Sequence, residues 1–266
     1  MVLALIYTRG WFAIRKTRPV LFPVRRLGAF LLGLVVIWVA IASPLDGFAD
    51  VLLSAHMVEH LLLMSFAPPL LLLGCPVVPL LRGFPPGITV YLLGPLIRIK
   101  WPRDLGHFLI TPLVAWLAMN LVFLGWHVPA AYDFALEHEH WHEFEHLCFL
   151  GTSIMFWWPV VRPWPTGKSH DGWLILLYLV MADIVNTVLS AFLAFCDRPV
   201  YPFYVNEANA FSISPLADQR AGAVVMWVVG SLVFLVPAVV LTFRLLQGDG
   251  HHRFHGLSDR EISNQR

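Results

Sequence analysis

Charge is scarce in this sequence. Of its 266 residues only 13% are Asp, Glu, Lys or Arg, while 58% are hydrophobic. A soluble domain carries about a quarter charged residues. The shortage excludes an ordinary soluble globule and points to a polytopic membrane protein. A mean hydropathy of +0.69 agrees with that. Cysteine is scarce too. Cys75, Cys148 and Cys196 form no Cys-x-x-Cys pair, which leaves no basis for a disulfide framework or a thiolate zinc cage. The net charge of +1 offers no basic surplus for a nucleic-acid partner. Met1 to Trp11 is too short an apolar run for a cleavable signal peptide, so targeting is expected from the first full span. No internal repeat is visible.

Long apolar runs are what the chain does have. A bilayer span takes about 20 mostly apolar residues. Six stretches qualify: Leu27 to Ile41, Ala49 to Leu73, Phe108 to Trp126, Trp141 to Val161, Trp173 to Phe195, and Ala221 to Leu245. The first reaches full length if its flanking basic residues snorkel. The expected fold is all-α: one polytopic membrane helix bundle of about six transmembrane helices over residues 1–247, with a polar tail at 248–266. Pro68-Pro69 is expected to kink or end the second helix. Ile88 to Ile97 is apolar but short, and is expected to lie in the membrane interface or to re-enter. Trp157, Trp158 and Trp164 suit an aromatic belt.

The basic residues orient these spans. Arg9, Arg15, Lys16, Arg18, Arg25 and Arg26 precede the first. Arg82, Arg98, Lys100 and Arg103 lie between the second and third, and Arg162 and Lys168 between the fourth and fifth. Arg244, Arg253, Arg260 and Arg266 follow the last. That puts sixteen basic residues on one side and only Arg198 and Arg220 on the other. The positive-inside rule then predicts a six-span protein with both termini in the cytoplasm.

This topology gathers the histidines. Seven of the twelve, His56, His60, His127, His138, His140, His142 and His146, fall on the outer side or in the outer half of the membrane. His56/His60 and His142/His146 are each spaced four apart, which stacks both imidazoles on one helix face. His127 ends the third span. An ionisable group in a membrane helix is costly without a partner, and so marks a candidate site. Met57 and Met64 add thioethers, and imidazole with thioether suits copper. The plainer alternative is that these histidines only tie helices together. His138 and His140 sit in an acidic loop and read as solvated. His251, His252 and His255 read as tail residues, and His107 and His170 as loop or interface residues. Asp183 and Asn186, three residues apart in the fifth span, fit a relay, a ligand or a structural hub. Asp218 opens the sixth span as a helix cap or as an outer partner to the histidines, as Glu59 and Glu145 also could be.

Two enzyme-like or cofactor readings compete with a copper site. His142-Glu-Phe-Glu-His146 matches H-E-x-x-H, and His56-Met-Val-Glu-His60 matches the inverted H-x-x-E-H, patterns of zinc proteases. No third-ligand motif accompanies them, so an enzyme is not expected. Facing histidines on paired helices could instead ligate haem, as in a cytochrome b-like protein.

Several stretches resemble the cytochrome c oxidase assembly factors of the CtaG type, multi-span bacterial membrane proteins. They are Tyr7-Thr-Arg-Gly-Trp11, Ser43-Pro-Leu-Asp46, Ser54 to Met64 with Ala67-Pro-Pro-Leu70, and Gly74-Cys-Pro76. Further along come Trp126-His-Val-Pro-Ala-Ala-Tyr-Asp133, Glu145-His146, Phe156-Trp-Trp-Pro159, Arg198-Pro-Val-Tyr-Pro202 and Ser214-Pro-Leu-Ala-Asp-Gln219. The resemblance runs from about residue 7 to 245. It implies a role in maturing a haem-copper oxidase, with copper delivery to respiratory oxidase subunits as the expected activity. The family histidines map onto His56, His60, His127 and His146, with His142 less firmly matched. Relatives commonly carry another span before the Tyr-x-x-Gly stretch, so the resemblance implies either a truncated start or a six-span member. A non-metal assembly scaffold and a copper transporter are the other functions compatible with this sequence. The oligomeric state is not readable from it.

Overall fold

The computed structural model describes residues 1–85, 87–93, 99–163, 170–206 and 211–263, and all regular structure among them is helical. The helices are α1 (Val2–Arg15), α2 (Val24–Ala42), α3 (Pro44–Ala49), α4 (Leu53–Leu73), α5 (Val77–Gly83), α6 (Lys100–Leu109), α7 (Pro112–Trp126), α8 (Pro129–Leu136), α9 (Glu139–Val161), α10 (Gly172–Phe195), α11 (Pro202–Asn206) and α12 (Pro215–Ser263). A short wide-turn segment, Ile88–Leu93, follows α5. Arg98, Trp164, Lys168 and residues 94–97 lie outside the described residues, as do the side chains of His251, His252 and His255.

Proline sets many of the helix starts. Pro44, Pro112 and Pro129 each open a helix, where the missing N–H costs nothing and the fixed φ is already helical. Ser43 adds a cap by accepting a hydrogen bond from the Leu45 N–H, and Asp171 caps α10 through the Trp173 N–H. α9 stops at Arg162, which takes the left-handed conformation with φ 49°.

Among the described residues, four helical stretches are long and apolar enough to cross a membrane: α2, α4, α10 and Pro215–Gln247 of α12. The pair α6 and α7 makes a fifth if counted as one span, bent by 69°. α9 has the length, 23 residues, but histidine and glutamate occupy its first half. The six expected spans thus correspond to α2, α4, α7, α9, α10 and α12, four of which qualify alone. The last helix also runs on past Leu245, through the stretch assigned to a polar tail.

α4 is the central helix. Of its apolar window 67% is buried, against 17% to 33% for the other three. It packs on α2, α3, α9 and α12. Pro68-Pro69 does not end it. The helix widens into a π turn at Leu62–Phe66 and continues to Leu73. Pro68 cannot donate to the Met64 carbonyl one turn back. That carbonyl instead accepts a hydrogen bond from the Trp157 indole N–H of α9, at 3.1 Å. Trp157 is therefore a buried tie between two helices, 3% exposed, rather than part of an interfacial belt.

Asp218 performs a similar service at the other end of α4. Its carboxylate accepts hydrogen bonds from the Leu53 N–H at 2.6 Å and from the Ser54 N–H and hydroxyl. It is a cap, but for α4 and not for its own helix. Gln219 beside it accepts from the Val200 N–H and donates to the Leu193 carbonyl.

A second, smaller core joins α1, α2 and α5. Tyr7 stacks on Phe30 with ring centroids 3.7 Å apart, and its hydroxyl donates to the Gly74 carbonyl at 2.6 Å. α1 and α5 cross backbone to backbone. A Cβ on Gly10 would overlap the Pro79 carbonyl, and one on Gly83 the Ile6 carbonyl. Gly83→Ala is therefore expected to lower the melting temperature of the detergent-purified protein, while Gly28→Ala, which meets open space, is not. Equal melting temperatures would refute the close crossing. Asp218→Ala removes hydrogen bonds to a buried charge, an expected loss of about 1.5–3 kcal/mol. Unfolding in denaturant measures it, and no loss would show that α4 does not depend on this cap.

Candidate metal centre

α4 and α9 each carry the pattern H-x-x-E-H: His56, Glu59 and His60 on one, His142, Glu145 and His146 on the other. Helical spacing of three and four puts each trio on one face. The two faces meet. His56 stacks on His142 with centroids 5.2 Å apart and planes 14° apart. Glu59 Oε1 lies 3.4 Å from His146 Nε2, and Glu145 Oε1 lies 3.7 Å from His60 Nε2. Each helix thus turns its carboxylate toward the last histidine of the other. Within each helix the paired rings are 4.1 Å and 4.3 Å apart. His127 joins from the end of α7, its ring 6.4 Å from that of His60. Tyr132 of α8 closes the top, 5.2 Å from His56.

The centre is buried. His56 and Glu59 are fully enclosed, and His60, His127 and Glu145 nearly so. Yet most of its polar atoms are not hydrogen-bonded. Both ring nitrogens of His56 and His60, both carboxylate oxygens of Glu59 and Glu145, and Nε2 of His127, His142 and His146 have no such partner. The carboxylate–imidazole approaches are too long or too poorly aimed. Buried polar groups are almost always paired, so this concentration of free lone pairs needs a cation or protons to balance it. Two groups of donors already lie within 4.8 Å of one another: His56, Glu59 and His142, and His56, His60 and Glu145. Imidazole with carboxylate fits a transition-metal ion. His127 adds a typical arrangement of a ligating histidine. Its Nδ1 is 2.7 Å from the Phe123 carbonyl. With Nδ1–H donating there, Nε2 keeps its lone pair.

The centre has a way in. His142 and His146 are only half-buried and line a cleft of about 750 Å³ that also contains Asp46, Asp50, Glu137, Glu139 and Glu143. Burial and the neighbouring Asp50 raise the Asp46 pKa, and His142 pulls it back down. Five carboxylates around one opening attract cations. Glu143 is the residue that a zinc protease of the H-E-x-x-H pattern would use as base. It sits out in this cleft beside exposed His140, at 3.6 Å, while Glu145 is the glutamate inside.

The structure therefore brings together His56, His60, His127, His142 and His146. It also draws in Glu59 and Glu145, which the sequence reading left as possible outer partners. Met57 and Met64 lie behind them and line a separate small cavity with His60 and His127. Asn186 lines that cavity too. Asp183 does not, though one of its carboxylate oxygens is buried without a hydrogen bond. Asp218 acts on α4 and not on the histidines. His138 is exposed, its Nδ1 near the Phe134 carbonyl, and His107 is exposed on α6. Sequence reasoning missed Tyr132 and Tyr201, whose rings pack 4.1 Å apart over the centre. Tyr201 donates to the His127 carbonyl at 3.3 Å. Both lie in proline-bearing connections, where a tyrosine looks like an interface anchor.

Comparison with known proteins follows the same residues. The chain is 28% identical to an uncharacterized protein of Mycobacterium bovis, across 94% of this chain and 38% of that protein. It is also 28% identical to one of Mycobacterium leprae, across 98% of this chain and 40% of that protein. The chain thus spans about two-fifths of the length of the curated relatives it matches. No solved structure gives a significant match. The family model described as cytochrome c oxidase caa3 assembly factor (Caa3_CtaG) matches residues 5–248. Every helix that builds the centre lies in that range, and the chain belongs to the cytochrome c oxidase caa3 assembly factor family.

Proposed function

We propose that this protein helps to mature a haem-copper oxidase by holding copper at the histidine–glutamate centre and passing it to an oxidase subunit docked in the membrane. The observation that carries this reading is the set of buried, unpaired imidazole and carboxylate atoms shared by α4 and α9. Copper is the cargo, and the family description supplies the destination. In this reading the chain is a carrier and not a catalyst. Both termini lie in the cytoplasm of a bacterial inner membrane, and the acidic cleft opens on the outer face. Copper enters past Asp46 and Asp50, meets His142 and His146 first, and settles among His56, His60, Glu59 and Glu145. His127 completes the set from α7. The half-exposed pair is also the exit, because ligands reached from the cleft can be exchanged one at a time with a partner's.

Haem fits this centre less well than a bare ion. Five imidazoles pack ring on ring at 4.1 to 6.4 Å. That spacing admits a cation between nitrogens but not a flat macrocycle.

His60→Ala is expected to cut copper retained by the detergent-purified protein at least tenfold and to lower oxidase activity in the host membrane, with insertion intact. Normal oxidase activity in that variant would sink copper delivery. Lost copper with normal oxidase maturation would instead favour a scaffold. Glu59→Gln with Glu145→Gln keeps shape and removes both charges. It is expected to weaken divalent copper more than tenfold in a chelator competition, and unchanged affinity would show that the carboxylates are not ligands.

A further inference from the structure

Beneath the histidine–glutamate centre lies a narrow cavity of about 30 Å³. That is room for one or two water-sized occupants. Four of the chain's seven methionines line it: Met57 and Met64 of α4, Met119 of α7 and Met226 of α12. All four are buried, between 1% and 8% exposed. His60 and His127 line it too, each nearly fully buried and each with an Nε2 that lacks a hydrogen-bond partner. Ser65, Asn120 and Asn186 are its other polar walls. The Asn120 side-chain amide donates to the Trp116 carbonyl, and that of Asn186 to the Met226 carbonyl. Among the described residues no Asp or Glu lines this cavity.

The geometry points to a second metal site here, one that takes a soft monovalent cation, Cu(I) in the cell and Ag(I) as its laboratory stand-in. Thioether sulfur selects soft ions. Methionine alone is often a mere gap filler. Methionines of three helices lining one cavity with two histidines whose Nε2 atoms lack a hydrogen-bond partner are a different matter, since a buried lone pair needs a partner. Charge decides the oxidation state. The centre above has two carboxylates to offset a divalent ion. The methionine cavity has none, and burying an uncompensated charge becomes steeply more costly as that charge rises. The inference rests on the copper reading above only for the identity of the natural ion. His60 borders both sites with two unpartnered ring nitrogens, whereas His127 has one, Nε2, which serves one ion at a time; the two sites are neighbours that share a wall.

The test uses the full chain in detergent, with Cys75, Cys148 and Cys196 replaced so that no thiolate competes for soft metal. Cu(I) is titrated against a chromogenic Cu(I) chelator, and Cu(II) is bound separately. The parent is expected to hold one Cu(I) with sulfur in its first coordination sphere by X-ray absorption, a signal that only thioether can supply in this background. Met119→Leu with Met226→Leu conserves volume. It is expected to weaken Cu(I) at least tenfold and leave Cu(II) binding unchanged. Glu59→Gln with Glu145→Gln is expected to do the reverse. Should the methionine variant unfold, the absorption spectrum of the parent still decides. Cu(I) bound through nitrogen and oxygen alone would overturn the second site and leave the upper centre standing. Cu(I) affinity unchanged by Met→Leu would do the same. Failure to bind copper in either state would overturn both.

Discussion

Seven polar side chains clustered with eleven buried ring-nitrogen and carboxylate-oxygen atoms that lack a hydrogen bond are the constraint on which this structure turns. Five imidazoles and two carboxylates cannot be taken out of water without compensation. Leucine at the same positions would pack as well and cost less. The bundle instead brings two helices with the same H-x-x-E-H pattern face to face and closes the top with Tyr132 and Tyr201. Neither helix makes a site alone. Each close-set donor group draws on both, with His56 common to the two. The position of α4 against α9 is thus the quantity the rest of the fold has to fix.

The fold fixes it from both ends. Asp218 of α12 holds the first N–H groups of α4. Trp157 of α9 holds the Met64 carbonyl that Pro68 leaves free. Between these points α4 packs on α2, α9 and α12 along its length. His127 is placed separately, by the end of α7 and its bond to the Phe123 carbonyl. The acidic cleft opens on one side of the centre and the methionine cavity lies on the other.

Much of this was legible in the sequence. Runs of apolar residues located the long helices to within a few residues except the last, which begins before Ala221 and runs on past Leu245. The four-residue spacing of His56/His60 and His142/His146 located the ligand faces, because helical periodicity leaves no choice about which side chains align. What the sequence could not show was pairing between helices. Glu59 and Glu145 belong to the centre only because α4 meets α9 in register. Trp157 looked like an interface residue because nothing local reveals that the Met64 carbonyl is vacant. Asp218 looked like a cap for the helix it opens, and caps another 165 residues away. Met57 and Met64 were grouped with the histidines because they share their helix. The cavity they face depends on Met119 and Met226, which no spacing connects to them.

The π turn at Leu62–Phe66 resets the phase of α4. An α-helix turns about 100° per residue, and one extra residue in a turn rotates everything after it by about that much. In an unbroken helix, the residue eleven after His60 would share its face. That residue is Leu71, yet Leu71 packs in the small core with α1, α2 and α5. Leu72, one further on, packs in the main core that surrounds the histidine–glutamate cluster. The face that carries His60 therefore continues into the main core through Leu72, one residue out of phase, while Leu71 is turned into the small core. The upper half of α4 can be committed to ligands while its lower half binds the bundle's two halves together.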